Sequence, residues 1–255
     1  MRALLASPLA FLIGWSLGAL GGGGSILAVP VLVFAAGQEP AAATSTSLLL
    51  VAVTAAVALV PHARAHHVRA RDGIVFALTG IPATLLGGRL AHDLDPDVLL
   101  LGFAPVMVAA GVTMLRSHAG PSTHPPRRAL PRPLLVAVVG SGVGLLTGTF
   151  GVGGGFVVVP ALVLVLGLPM ADAVGTSLLV IVLNSLVALT TRLHANSIDW
   201  RVVVPFLTAA MLGVAVGTHL TRHTPDARLR RAFAWLLLAV AGFTAVRAGV
   251  GLIDA

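Results

Sequence analysis

One stretch of this chain occurs twice, and the repetition constrains the fold more than any other feature. Gly18 to Ser47 holds a glycine cluster, a proline and a Thr-Ser pair, and Gly148 to Ser177 holds them again in the same order. Thr46 to Leu49 recurs unchanged 130 residues later. An apolar composition alone does not match glycine, proline and hydroxyl residues at equal spacing. We therefore predict that the chain consists of two homologous halves.

The boundary between the halves lies in a polar, irregular stretch. Arg116 to Pro133 contains five prolines and four arginines and separates the two repeated segments. Clusters of proline and polar residues are typical of loops. We therefore assign residues 1–116 to the first half, residues 117–133 to a linker and residues 134–255 to the second half.

The chain is too apolar to bury its hydrophobic residues in one core surrounded by water. It is 57% hydrophobic and 10% charged, with a mean hydropathy of +0.99. Soluble domains are about 45–50% apolar and about 25% charged. Apolar runs of helical length, separated by short charged or Pro/Gly-rich stretches, predict an all-α polytopic membrane protein. We expect a multi-pass protein of the cell (inner) membrane, with the lipid bilayer as a partner.

Each half begins with an apolar segment that glycines interrupt. The piece from Ile26 to Ala36 is about 16 Å long as a helix, too short for a hydrocarbon core of about 30 Å. The sequence therefore predicts that each half contains a Gly-broken helix or a re-entrant element. Three transmembrane helices follow this element in each half.

The arginines predict how the halves are oriented. If each half crosses the membrane an odd number of times, loops 62–72, 116–132 and 222–231 lie on one side and hold eleven of the 16 arginines. Because positively charged loops stay in the cytoplasm, this distribution favours an inverted repeat. The same topology accounts for the formal net charge of +7. We therefore expect no nucleic-acid partner.

The glycine clusters are candidate substrate-binding segments. Each cluster precedes a short apolar helix, whose free N–H groups and positive dipole end can bind an anion inside the membrane. The alternative is close packing of helices through small residues, which we favour for the outer glycines Gly14, Gly18, Gly144 and Gly148. The glycines and the adjoining serine assigned to the substrate are Gly23, Gly24, Ser25, Gly153, Gly154 and Gly155.

Hydroxyl residues follow both clusters at matched positions. We predict that Thr46, Ser47, Thr176 and Ser177 complete the binding shell. The alternative is that these hydroxyls only return hydrogen bonds to their own helix backbone. Asn184 lies in the middle of a predicted span, where its amide needs a partner. It is either part of an interhelical hydrogen bond or a residue of the substrate pathway.

Arg89 and His219 occupy equivalent positions in the two halves near the ends of predicted spans. We regard them as gate or proton-coupling candidates, with interfacial snorkelling as the alternative. The histidines of the loop at 62–72 have no nearby carboxylate that would complete a metal site. No nucleophile or acid–base pair with catalytic spacing occurs. We therefore predict no enzyme activity, no metal and no cofactor.

The repeated motifs resemble the TauE/SafE sulfite-exporter-type family of membrane transporters. The resemblance is strongest in residues 151–162, 166–169 and 173–178 and extends over both halves. The first half departs from the pattern at Gly22 to Ser25, at Gln38 to Pro40 and at Thr44 and Ser45. The resemblance implies a secondary transporter for a small anion, such as sulfite or an organosulfonate, working by alternating access. We expect proton coupling because the predicted spans lack carboxylates suited to Na⁺.

Several alternatives fit the same sequence. The glycines could line a passive anion channel, or the carrier could move another small solute or a metal ion. A membrane-embedded enzyme or assembly factor would need the acid–base pair that is missing. A homo-oligomer is possible in each case.

Overall fold

The computed structural model describes residues 7–90, 96–116, 131–150, 155–192, 200–222 and 224–253. These residues form ten α-helices and no strand, which confirms the predicted all-α class. The helices are α1 (Ser7–Leu20), α2 (Ser25–Phe34), α3 (Pro40–Arg64), α4 (Ala70–Leu90), α5 (Pro96–Arg116), α6 (Arg132–Phe150), α7 (Gly155–Pro160), α8 (Met170–Arg192), α9 (Trp200–Arg222) and α10 (Asp226–Ile253). Within the described residues, α3, α4, α6, α8 and α9 are long and apolar enough to cross a membrane.

Helix boundaries recur at the spacing of the sequence repeat. The helices α2, α3, α4 and α5 begin 130 residues before α7, α8, α9 and α10 respectively. A five-residue π-helical segment, Ala161–Val165, continues the six residues of α7, and α2 has ten residues. Gly37 and Gly167 both adopt a positive φ, of 69° and 66°. Each follows the end of its helix, where a left-handed residue lets the next N–H groups reach the last carbonyls.

Several helices extend beyond the apolar runs that predicted them. The apolar run of α3 ends at Val60 but the helix continues to Arg64, and α10 begins at Asp226, before the apolar run that starts at Ala232. Helical hydrogen bonds do not require apolar side chains, so a helix continues into the polar region outside the hydrocarbon core. Hydropathy therefore locates the membrane-crossing part of a helix and underestimates its ends.

The first glycine cluster reverses the direction of the chain. Gly21–Gly24 form a 3₁₀ turn between α1 and α2, and Gly21 has a φ of 69°. A Cβ atom on Gly24 would lie 2.8 Å from the Leu17 backbone nitrogen, so the turn brings α2 back against α1. The structure therefore shows a helix–turn–helix hairpin at this glycine cluster.

Two helix pairs, each with one helix from each half, join the halves. Helix α4 packs on α6, and α9 packs on α1. Gly144 contacts the Gly80 backbone and Gly14 contacts Ala210, and these pairs differ by 130 in both members. Contacts of Gly148 with Thr84 and of Gly18 with Val214 repeat this register one turn later. Residue numbers increase together along both partners, so each pair is parallel, and the outer glycines are packing residues.

Helices α3 and α8 pack together at the centre of the molecule. A Cβ on Gly175, near the start of α8, would lie 3.2 Å from the His62 Cβ, near the end of α3. The two helices therefore run in opposite directions. Their buried residues join those of α1 and α7 in one core, which includes Leu17, Phe156 and Leu178.

The glycine contacts predict that alanine substitution at two nearby glycines of α6 changes the free energy of unfolding by different amounts. We expect Gly144→Ala to lower the free energy of unfolding by about 1–3 kcal/mol, because its Cβ would meet the Gly80 backbone and force the helices apart. Gly142→Ala should be neutral or stabilising, since nothing lies within 4 Å of its added Cβ. Thermal unfolding of both variants in detergent measures the difference, and equal stabilities would contradict the packing role.

Candidate functional site

The two glycine segments meet in the interior of the molecule. All four glycines of the turn Gly21–Gly24 are buried. A Cβ on Gly22 would contact the Gly155 carbonyl at the start of α7, so these two backbones touch. A Cβ on Gly21 would lie 2.5 Å from the Ser177 Oγ of α8. We call this meeting point of the turn, the start of α7 and the first turns of α8 the glycine junction.

Serine hydroxyls surround the glycine junction. The Ser25 Oγ donates a hydrogen bond to the Gly22 carbonyl at 2.7 Å, and the Ser177 Oγ donates to the Val174 carbonyl at 2.8 Å. The Ser16 Oγ is buried without a partner in the described part of the chain, and it lies 3.6 Å from a Cβ placed on Gly23. The repeat does not reveal Ser16, because the matching residue of the second half is a leucine.

The predicted glycines lie in or beside this junction where the structure describes them. Gly23, Gly24 and Gly155 are all buried. Gly153 and Gly154 lie outside the described residues. The backbones are packed against one another in this conformation, and neither of two hollows of about 440 Å³ in the described molecule is lined by these glycines.

The predicted hydroxyl residues are buried in the first turns of α3 and α8. Thr46 is 1% exposed, and its Oγ1 has no hydrogen-bond partner among residues that the structure describes. Ser47 is also buried. Thr176 is fully buried, and its Oγ1 accepts a hydrogen bond from the Arg69 backbone N–H at 3.0 Å. The Asn184 Oδ1, farther along α8, is buried without a partner in the described ranges.

The structure does not place Arg89 and His219 at the glycine junction. Both are exposed on the last turns of α4 and α9. His219 lines an apolar hollow between α3 and α9 with Val57 and Pro61. The structure therefore gives these two residues separate surroundings, although the sequence repeat makes them equivalent.

An ionic cluster lies next to the junction and links the two halves. The loop between α3 and α4 contributes His67 and Arg69, and α8 contributes Asp172 in its first turn. The Arg69 Nε donates to the Asp172 Oδ2 at 2.8 Å, and the His67 Nδ1 lies 3.0 Å from the Asp172 Oδ1. The Asp172 side chain is 10% exposed, against 56% for Arg69. We call this cluster the ionic latch.

The sequence repeat contains a signal for the latch in its unmatched charges. Asp172 corresponds to Ala42 in the first half, and Arg69 corresponds to Asp199 in the second. The equivalent pair, Ala42 and Asp199, cannot form an ion pair, so the repeat does not duplicate the latch. No group of three metal-ligating side chains placed to hold an ion occurs within the described ranges.

Comparisons with known proteins identify the family. The family described as "Sulfite exporter TauE/SafE" matches residues 6–244. A "Probable membrane transporter protein" of Xylella fastidiosa (strain 9a5c) is 34% identical over 95% of this chain and 94% of its own length. "Probable membrane transporter protein YunE" of Bacillus subtilis (strain 168) is 24% identical over 83% of this chain and 86% of its own. No solved structure gives a significant match.

The family match covers both glycine segments, the first turns of α3 and of α8, and the helix pairs α4–α6 and α1–α9. Membrane transport is therefore the activity of the family to which this architecture belongs. The chain is a member of the TauE/SafE sulfite exporter family of membrane transporters.

Proposed function

We propose that this protein is a secondary transporter that binds a small anion, sulfite or an organosulfonate, at the glycine junction. The observation that carries the proposal is the contact of two glycine backbones, Gly22 and Gly155, inside a bundle of membrane-crossing helices. Glycine lets a ligand approach main-chain N–H groups closely, and buried hydroxyls next to it supply further donors.

The chemistry around the junction favours a negatively charged solute. Helix α2 begins at Ser25 without an acidic residue in its first turn and without a side-chain cap. Its N-terminal dipole therefore faces the junction without a carboxylate to neutralise it. The Ser16 hydroxyl, which lies beside Gly23 and has no partner within the described ranges, is available as a donor to an oxyanion. We propose the Thr46 hydroxyl of α3, which also has no described partner, as a second donor.

The packing supports an inverted repeat built from residues 1–116 and 134–255. Helices α3 and α8 are equivalent in the repeat and antiparallel in space, and the pairs α4–α6 and α1–α9 exchange when the halves are exchanged. A two-fold axis perpendicular to the helices produces this arrangement, and it would lie in the membrane plane. Arg69 and Arg132 are then at one end of the bundle, which we call the arginine-rich end and place in the cytoplasm of an inner-membrane protein.

Alternating access would proceed by movement of one half against the other. The ionic latch joins the halves at the arginine-rich end, directly above Thr176 and Ser177. In this conformation the latch and the packed junction close that end. Opening requires the bond between Arg69 and Asp172 to break, after which the hydroxyls of α8 face the cytoplasm. We propose protons as the coupling ion, and His67, which faces Asp172, joins Arg89 and His219 as a proton-coupling candidate.

Uptake by purified protein in liposomes tests the anion site. Labelled sulfite, sulfoacetate, taurine and thiosulfate identify the substrate class. We expect Gly23→Ala to reduce transport of the preferred anion about fivefold, because its Cβ fills space beside the Ser16 hydroxyl. The nearest atom to that Cβ is the end of the flexible Leu236 side chain at 2.7 Å, so the protein should still fold.

Gly142→Ala is the matched control, because its Cβ meets nothing within 4 Å. Equal transport by both variants would remove the junction from the proposal. Saturation and counterflow would support a carrier, whereas a flux that rises linearly with anion concentration would indicate a channel.

A further inference from the structure

A second feature of the arginine-rich end lies outside the ionic latch and the glycine junction. A hollow of about 440 Å³ lies between the first turns of α4 and α6. Its polar lining comes from Arg69, Arg71, Asp72 and Arg132, and its apolar lining includes Val75 and Val136.

Three arginines line this hollow, and one of their guanidinium groups has no carboxylate partner among the described residues. Arg132 donates to the Asp72 Oδ2 through its Nε at 3.1 Å and through a terminal nitrogen at 2.6 Å. Arg69 is paired with Asp172 in the ionic latch. Arg71 is exposed and forms no ion pair with any residue that the structure describes. The hollow therefore has the charge to accept one monovalent anion, with Arg71 as its cation.

The surface below the hollow belongs to two weakly buried candidate spans. Helices α4 and α6 have the lowest buried fractions, 28% and 22%, of the five candidate spans in the described chain. Leu78 on α4 and Val138 on α6 are 65% and 55% exposed. They lie one to two turns inside the membrane from the arginines, at the depth where acyl chains begin.

We propose that this hollow binds the headgroup of an anionic phospholipid. The phosphodiester, with one negative charge, would accept hydrogen bonds from Arg71 and from the outer edges of the Arg69 and Arg132 guanidinium groups. The glycerol and the first methylenes of the acyl chains would pack on Val75 and Val136 and continue down the exposed faces of α4 and α6. A free anion would use the arginines but not the apolar surface, so the combination of the two selects a lipid.

Lipid binding to the full chain tests this site. The protein is reconstituted into nanodiscs of phosphatidylcholine alone or mixed with phosphatidylglycerol, and the lipids retained after transfer to detergent are counted by native mass spectrometry. We expect wild type to retain phosphatidylglycerol, and Arg71→Gln to weaken this retention about fivefold. Arg231→Gln is the matched control, because Arg231 is an exposed arginine in the first turns of α10 with no described ion pair.

Each outcome decides between a lipid, a free anion and general surface charge. Equal losses with Arg71→Gln and Arg231→Gln, or no loss with either, would overturn the proposal. If inorganic phosphate displaces phosphatidylglycerol from the wild type at millimolar concentration, the hollow is a site for free oxyanions and the lipid assignment is wrong. Transport is not the readout, so this test is independent of the function proposed for the glycine junction.

Discussion

We expect Gly22→Ala to abolish the folded state, whereas most alanine substitutions of helix residues are tolerated. The added Cβ would overlap the carbonyl group of Gly155, and both partners are backbone atoms of buried, tightly connected segments. Neither can move without separating the hairpin of α1 and α2 from α7 and α8. Size-exclusion chromatography of detergent-solubilised protein should show loss of the monodisperse peak, and transport in liposomes should be absent.

The control for this prediction is a glycine in an open position. Gly242→Ala on α10 adds a Cβ with nothing within 4 Å, so it should preserve both the chromatographic peak and transport. A folded Gly22→Ala protein with wild-type transport would show that the two glycine segments do not need to touch. Folded protein without transport would instead show that Gly22 is needed for substrate transport and not for folding.

The fold was largely predictable because its strongest determinants are local or repeated. Low charge and apolar runs required membrane helices, and the short piece after Ser25 required a broken element. The pairing of α4 with α6 and of α9 with α1 was not predictable from the sequence. Spacing of Gly14 and Gly18 indicates that a close helix contact exists, but it does not identify the partner, because any helix backbone can fill the groove.

The candidate site was predictable in its glycines and less so in its polar groups. Gly23, Gly24 and Gly155 stand out because they interrupt apolar sequence, and the structure brings the turn that holds the first two against the third. Ser16 did not stand out because it lies in an ordinary apolar helix. Asp172 did not stand out because an aspartate is common in the first turn of a helix. Asp172 is distinguished only by His67 and Arg69, which lie 105 and 103 residues away in the chain, and Ser16 only by the turn that brings Gly23 back towards α1.

The second prediction with a large effect concerns the ionic latch. If the bond between Arg69 and Asp172 keeps the arginine-rich end closed, Asp172→Asn should expose the residues below it. Asparagine keeps the size of the side chain and removes its charge, so it weakens the attraction to Arg69 without opening a cavity. Helix α8 should then separate more often from the loop between α3 and α4.

A single cysteine can report this opening, because the chain contains no cysteine. Ser177→Cys places a thiol of similar size at a fully buried position below the latch. In inverted membrane vesicles, we expect Asp172→Asn to accelerate labelling of this thiol by a membrane-impermeant maleimide about tenfold. In right-side-out vesicles the same substitution should slow labelling or leave it unchanged, because alternating access exposes one side at a time.

Two further variants separate the latch from a general effect of removing an acidic residue near a helix start. Asp226→Asn removes an exposed carboxylate from the first turn of α10 and should leave the labelling rate unchanged. Arg69→Gln should accelerate labelling as Asp172→Asn does, and the double variant should add little, because both substitutions break the same bond. Additive effects, or acceleration by Asp226→Asn, would show that the cluster is only a surface ion pair and that access to Ser177 is controlled elsewhere.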